Sequence, residues 1–360
     1  MLFFTATSTR ARAELLEFPE KAADARLAEM RQAIEGLHRK AMASTKPWTE
    51  ESLRKTLPAK FLKLDAQYAR LKDPKVKAQA LAQLALLYAD LAWKDKIAPI
   101  APELRKVDPE LADRLGNFEE SEHFFARVVG VDVKWAQAAV KLGEAARTGY
   151  LKLFGFREVS KVPGKKIRIL IHLDPSQKGP RLYFHPTPLY HGEIRFEIPE
   201  EKYLTLAGGC RIDYGFCHEL GHMIAMWGEY PRIEDDKHAW AHYAGSLVLE
   251  EVYEQLGNSP WPGWTAFQRR ASGRERLLGE IKGKTAGLGS YESILALFHT
   301  VGEEFGTQIY GRAWLWLEKN KRFRKINNVP YLWMKDLEDA LTAVVPKGKA
   351  PRIKELFKKS

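Results

Sequence analysis

Cysteine is scarce in this chain, whose 360 residues include only Cys210 and Cys217. Two cysteines exclude the disulfide framework that stabilises many small secreted domains. Seven residues along one helix would separate them by about 10 Å, too far for a disulfide, whereas a loop position for Cys210 would leave a bond open. The cysteine count therefore does not decide the cellular compartment.

Long hydrophobic runs are also missing. No stretch reaches the roughly 18 apolar residues of a membrane-spanning helix, so we expect no membrane span. The first segment, MLFFTATSTRARAELLEF, is too short in apolar residues for the hydrophobic region of a secretory signal. We expect a cytoplasmic protein if Met1 is the native start, and a secreted or periplasmic one if a signal peptide has been removed.

Several catalytic and nucleotide-binding motifs do not occur in the sequence. It contains no Walker loop, no G-x-G-x-x-G after a strand and no G-x-S-x-G nucleophile turn. The net charge of +11 and the pI near 9.4 are compatible with an acidic partner. Lysine-rich, solvated helix faces and a solvated basic tail after Val345 explain the charge more simply, so nucleic acid is not favoured as a partner.

The chain changes character twice along its length. Residues 1–155 have helical composition, as in Lys75–Trp93, which contains no internal Gly or Pro, and in the similar segment Asp132–Phe156. Three candidate strands follow, KIRILIHLD, RLYFHP and HGEIRFEIP, and helical patterns then return. Helices, a small sheet and more helices predict an α+β fold that is mostly α. We divide the chain into these parts: a helical N-terminal domain of unknown role, 1–155, and a second domain, 156–360, with its sheet in 156–212, two central helices in 213–257 and a helical C-terminal subdomain in 265–360.

The stretch GFCHELGHMIAMWG, Gly215–Gly228, carries the strongest chemical signal. On a helix, His218 and His222 lie one turn apart on the same face, so both imidazoles can bind one metal ion. Zinc suits neutral imidazole, and Glu219 is placed to accept a proton from a zinc-activated water. The alternative is a buried helix with two hydrogen-bonded histidines and a surface glutamate. Asp213 is a candidate N-cap and Gly228 a candidate stop for this helix.

The residues alone do not decide which side chain would be the third metal ligand. The next helical segment contains His238 and His242, again four apart, so either could complete the site while the other orients a ligand ring. The acidic residues at the start of this helix are further candidates: Glu234, Asp235 and Asp236. Glu250 and Glu251, farther along, are expected to face solvent.

From about Gly192 to its C-terminus the chain resembles the gluzincin metallopeptidases, closest to the aminopeptidase and leukotriene-hydrolase-like group. In that group H-E-x-x-H is followed by a glutamate ligand in a helix with the pattern E-G-x-A-x-Y. HAWAHY matches at Ala241 and Tyr243 and places His238 at the position of the glutamate, after a shorter gap. The resemblance thus favours His238 over His242 or an acidic residue as the third ligand. A third imidazole would leave the bound water more acidic than a carboxylate ligand would.

Two further segments extend the resemblance. Tyr291 and Gly306 have the spacing of a motif whose tyrosine, in the family, donates to the oxyanion of the tetrahedral intermediate. The strand in His191–Pro199 stands where the family has the strand that lines the cleft, with substrate added at its edge. The G-x-M-E-N exopeptidase motif does not occur, which argues for an endopeptidase or an unusual specificity.

The sequence therefore predicts a zinc metallohydrolase, specifically a zincin-like peptidase that acts on a peptide or protein substrate. His218, His222 and His238 would bind Zn²⁺, Glu219 would act as general base, and Tyr291 would stabilise the oxyanion. Two alternatives stay open. One is a non-catalytic zinc-binding protein that uses a gluzincin scaffold to bind a protein or polymer. The other is a basic nucleic-acid-binding protein in which H-E-x-x-H is accidental.

Overall fold

A computed structural model describes most of the chain. The described residues are 25–43, 50–156, 166–179, 181–185, 193–200, 212–225, 234–257, 260–262, 291–320, 322, 324–326, 329–331 and 334–359. In this part of the chain, the predicted α+β class with a mostly helical content is confirmed.

Helices account for most of the described residues. In chain order they are α1 Ala25–Ala43, α2 Glu50–Thr56, a 3₁₀ turn Ala59–Lys63, α3 Leu64–Ala69, α4 Pro74–Asp90, α5 Lys94–Ile97, α6 Ile100–Val107, α7 Pro109–Leu115, α8 Lys134–Phe154, α9 Ile212–Ala225, α10 Glu234–Leu256, α11 Tyr291–Phe305, α12 Ile309–Lys319, α13 Met334–Val344 and α14 Ala350–Lys359. No helix within these ranges combines the length and apolarity that crossing a membrane requires.

The strands form one five-stranded sheet and one small hairpin. They are β1 Asn117–Glu120, β2 Phe124–Val129, β3 Ile167–Leu173, β4 Arg181–His185, β5 Glu193–Ile198, β6 Arg324–Ile326 and β7 Val329–Tyr331. The sheet order is β1-β2-β3-β5-β4. Its three central strands are parallel, whereas β1 and β4 run antiparallel to their neighbours.

Two of these strands lie in the region predicted to be helical. β2 is a short apolar run buried along nearly its whole length. Periodicity does not distinguish such a run from a piece of buried helix, because neither has a polar face. Its pairing with β3 joins residues more than forty positions apart, Phe124 to Ile167 and Val129 to His172, and this pairing extends the predicted sheet on its N-terminal side.

The predicted substrate edge is wrong in this structure. The strand in His191–Pro199 corresponds to β5, and β5 is paired on both sides, to β3 through Ile169 and Ile194 and to β4 through Phe184 and Ile194. Its backbone groups are committed to the sheet, so no further strand can add there. Among the strands that the structure describes, the outermost on this side is β4.

One face of the sheet is apolar and packs on helices α8 and α9. Alternate residues of β3 and β5 point to this face because side chains alternate along a strand. Ile169, Ile171, Ile194 and Phe196 are fully buried there, in one core with α8, α9, α10 and the C-terminal helices. Helix α8, which the sequence assigned to the N-terminal region, therefore supports the helix that carries H-E-x-x-H.

A second hydrophobic core lies among the N-terminal helices α1 to α7. It includes Phe118 of β1 and Phe125 of β2, whereas the neighbouring Phe124 belongs to the first core. Hydrophobic packing thus changes from one core to the other at β2, about thirty residues before the predicted boundary at residue 155. Arg168 of β3 adds a polar link, since its guanidinium donates to the carbonyl oxygen of Asp90 at 3.0 Å.

Candidate metal centre

Helix α9 carries the predicted metal motif and is held on three sides. Phe216, Cys217 and Leu220 are fully buried in the core. At Gly215 a side chain would overlap Leu182 of β4, because a Cβ there would lie 1.8 Å from its Cδ2 atom. The helix thus sits directly beside β4, the edge strand of the described sheet.

Asp213 has a different role from the predicted N-cap. The helix already begins at Ile212, and Asp213 is buried in its first turn. One carboxylate oxygen accepts from the backbone N–H of Tyr214 at 2.8 Å, and the other accepts from the hydroxyl of Tyr253 on α10. The carboxylate therefore joins the start of α9 to the far end of α10. Gly228, the predicted stop, lies outside the described residues.

Helices α9 and α10 approach each other closely at two glycines. A Cβ on Gly245 would lie 2.9 Å from the backbone nitrogen of His218, and a Cβ on Gly221 would lie 3.0 Å from the Cα of Ala241. The contact at Gly245, under 3.0 Å to backbone, leaves no room for a side chain, and at Gly221 a Cβ would also lie 2.7 Å from the hydroxyl oxygen of Tyr150. These contacts show that the two helices run antiparallel. They place His218 on α9 opposite the turn of α10 that contains His242.

Helix α8 fixes α9 from the opposite side. The hydroxyl of Tyr150 donates to the carbonyl oxygen of Cys217 at 2.8 Å, one residue before His218. Burial raises the pKa of Tyr150 well above its usual value, and the Cys217 thiol and the hydroxyl of Tyr214 act in the same direction. Burial also raises the pKa of Cys217, with the carboxylate of Asp213 second. Both groups therefore stay protonated at neutral pH.

The three residues of the motif come together as predicted. The Nε2 atoms of His218 and His222 face each other at 3.0 Å, with the two rings nearly perpendicular at 82°. The carboxylate of Glu219 completes a group whose ligand atoms all lie within 4.8 Å of one another. Glu219 is only 8% exposed, so the predicted alternative of a surface glutamate is wrong.

This geometry suits a zinc ion. Two nitrogens that bind one zinc at 2.0–2.1 Å with a tetrahedral angle lie about 3.3 Å apart. The observed separation of 3.0 Å between the Nε2 atoms needs only a few tenths of an ångström of opening. At this distance no more than one of the two Nε2 atoms can carry a proton, so at least one presents a lone pair. The motif requires two imidazoles that can bind the ion and a neighbouring carboxylate that can reach a metal-bound water, and these three groups lie together here.

His242 occupies a different place from these three groups. Its Nδ1 contacts the hydroxyl of Tyr214, and the same hydroxyl lies 3.5 Å from Nδ1 of His218. His242 is buried, and it is not part of the cluster of converging ligand atoms in the described structure. His242 therefore contacts Tyr214 on the Nδ1 side of the His218 ring, away from the Nε2 atom that faces His222.

The remaining predicted residues lie at the margins of the described structure. His238 is on α10 one turn before His242, but its side chain, like those of Glu234, Asp235 and Asp236, lies outside the described residues. Tyr291 is the first residue of α11, and its side chain also lies outside them. Both remain predictions.

Two roles found in the structure were not predicted. Tyr214 is four residues before His218 on the same helix face, and this i, i+4 spacing could have identified it. Glu251 was expected to face solvent, which is wrong, because it is buried and accepts from Lys152 of α8 at 2.7 Å. No local pattern signals that pair, since the two residues are ninety-nine positions apart.

Comparison of the chain with protein-family models, with characterised proteins and with solved structures finds no match. The resemblance to the gluzincins therefore depends on the residues of this chain alone.

Proposed function

We propose that the protein is a zinc-dependent hydrolase, and specifically a peptidase. The observation that carries this proposal is the convergence of His218, Glu219 and His222, with the Nε2 atoms of the two imidazoles 3.0 Å apart. His218 and His222 would bind the ion, and His238 is our candidate for the third ligand. When bound, zinc supplies Lewis acidity, which polarises a scissile carbonyl and makes water more acidic.

Glu219 would act as the general base in this reaction. Its carboxylate would accept a proton from the attacking water and then deliver it to the leaving amine nitrogen. Its burial supports the role, because a carboxylate with little competing water interacts more strongly with a nearby charge. Tyr291 is our candidate for the group that donates to the oxyanion.

The position of α9 supports a peptide as the substrate. The helix lies against β4, whose outer edge is unpaired within the described sheet. An extended peptide can hydrogen-bond to such an edge through its backbone, which holds a scissile bond beside the neighbouring helix. In this proposal β4 would take the role that the sequence assigned to the strand in His191–Pro199.

The substitution Glu219→Gln tests the proposal. We expect it to keep zinc and to lower kcat by about 10²–10⁴-fold, because the amide cannot accept the proton. Hydrolysis would be followed with a quenched fluorescent peptide library and zinc by elemental analysis of the same samples. Glu254→Gln on the exposed side of α10 is the matched control and should leave both unchanged.

The alternative outcomes are distinct. A Glu219→Gln variant that cleaves as fast as the parent would contradict the mechanism. A parent that holds zinc but cleaves nothing in the library would favour the non-catalytic zinc-binding protein instead.

A further inference from the structure

The hydroxyl of Tyr214 lies between two histidines from different helices. It contacts Nδ1 of His242 on α10 and lies 3.5 Å from Nδ1 of His218 on α9. The rings of His218 and His242 are 6.3 Å apart between centroids, which leaves room for the hydroxyl between them. Nε2 of His218, on the other side of the ring, faces His222.

Tyr214, His218 and His242 have few protons to share among their hydrogen bonds. A tyrosine hydroxyl has one hydrogen to donate and can accept through its oxygen, and a neutral imidazole donates at one nitrogen and accepts at the other. If the hydroxyl donates to His242, its oxygen accepts from His218, which must then carry its proton on Nδ1. Nε2 of His218 is left with a free lone pair, as metal binding requires.

We propose that Tyr214 and His242 are positioning residues that fix the ring of His218 and hold its proton on Nδ1. The inference depends on the proposed metal site. It adds that the ring orientation and the tautomer of His218 are already set in the metal-free protein. Metal-binding histidines generally donate their second N–H to an acceptor that sets the tautomer, and loss of that acceptor weakens metal binding by about 10–100-fold. Here the acceptor would be a hydroxyl that is itself oriented by a second histidine.

The close helix packing supports this role. Tyr214 and His218 are one turn apart on α9, and Gly245 allows α10 to approach the backbone of His218. Because His242 is on α10, the hydroxyl can be oriented only while the two helices are in contact. The contact between α9 and α10 that brings the site residues together would thus also orient the His218 ring.

The test measures zinc affinity and tautomer separately. Tyr214→Phe keeps the aromatic ring and removes the hydroxyl, and we expect its zinc dissociation constant, from competition with a chromogenic chelator, to rise about 10–100-fold. In metal-free protein labelled with ¹⁵N-histidine, two-bond ¹H–¹⁵N spectra report which nitrogen carries the proton. The parent should show His218 protonated on Nδ1, and Tyr214→Phe should shift it toward the Nε2 form.

Four further variants make the test specific. Tyr310→Phe is the matched control, because it also removes a tyrosine hydroxyl from this core, one that donates to the carbonyl oxygen of Phe298 on α11 rather than to α9. It should keep the parent zinc affinity. His242→Asn retains an acceptor for the hydroxyl and should stay close to the parent, whereas His242→Leu should resemble Tyr214→Phe. The double variant of Tyr214→Phe and His242→Leu should cost no more than the worse single change, since both act on one contact.

The inference is overturned if Tyr214→Phe and Tyr310→Phe bind zinc equally well. It is also overturned if zinc affinity falls while His218 keeps its tautomer, since the hydroxyl would then act through packing alone. A parent that binds no zinc would refute the proposed function. The metal-free tautomer measurement would still decide whether Tyr214 sets the proton on His218.

Discussion

At the level of single residues, the candidate site is made of side chains on α9 and α10 that contact one another directly. The sequence predicted His218, Glu219 and His222 because the i, i+4 rule depends on local helix geometry alone. It did not predict that Tyr214 bridges His218 and His242, since that contact requires knowing how α9 and α10 pack. Glu251 shows the same limit, because its partner Lys152 comes from a different part of the chain.

The pair of Lys152 and Glu251 predicts a specific pH dependence. The hydrogen bond from Lys152 lowers the pKa of Glu251 below 4.5, despite the opposing effect of burial. A carboxyl whose pKa is lower in the folded state stabilises the fold above its unfolded pKa and loses this effect as pH falls through the folded value. We therefore expect Lys152→Met to lower the free energy of unfolding at pH 7.

That difference between Lys152→Met and the parent should shrink as the pH falls below about 4.5 and disappear once Glu251 is protonated in both proteins. Urea unfolding at several pH values measures it. A difference that is constant from pH 7 to pH 3 would contradict the role of the ion pair.

At the scale of elements, the close approach of α9 and α10 is the feature that builds the site. Gly245 permits it, since a Cβ there would lie 2.9 Å from the backbone of His218. We expect Gly245→Ala to push the helices apart, to destabilise the protein by about 1–3 kcal/mol and to weaken zinc binding. Chemical unfolding and chelator competition measure the two effects.

Gly36 on α1 provides the matched control for this substitution. It also lies in a helix, but a Cβ there would have no atom within 4 Å. Gly36→Ala should therefore stabilise the protein by about 0.5–1 kcal/mol through helix propensity, without changing zinc affinity. Equal effects at the two glycines would show that the helix contact does not matter.

Elements with a clear local pattern were predicted well. α4 begins where the sequence suggests, with Asp73 as N-cap accepting from the backbone N–H groups of Lys75 and Val76. α8 ends at Gly155, whose φ of 68° is a left-handed conformation that glycine adopts readily. The order of the strands was not predictable in this way. β5 lies inside the sheet because it pairs with β3 on one side and with β4 on the other. Strand order follows from such long-range contacts, which local sequence patterns do not report.

At the scale of the whole molecule, one sheet connects two hydrophobic cores. β2 contributes Phe125 to the N-terminal core and Phe124 to the core around the metal motif. The sequence placed a boundary near residue 155 because the strand candidates begin after it. Composition changes at the first predicted strand, whereas packing changes at β2, and only the folded chain shows the difference.

Metal analysis of the purified 360-residue chain is the most direct test of the proposed zinc site. Zinc per chain would be measured in the purified parent and in the His218→Ala, His222→Ala and His238→Ala variants, with His172→Ala on β3 as the control. The proposed site requires one zinc per parent chain, its loss from the His218 and His222 variants, and its retention in the control. A parent without metal, or zinc that survives in both His218→Ala and His222→Ala, would contradict it.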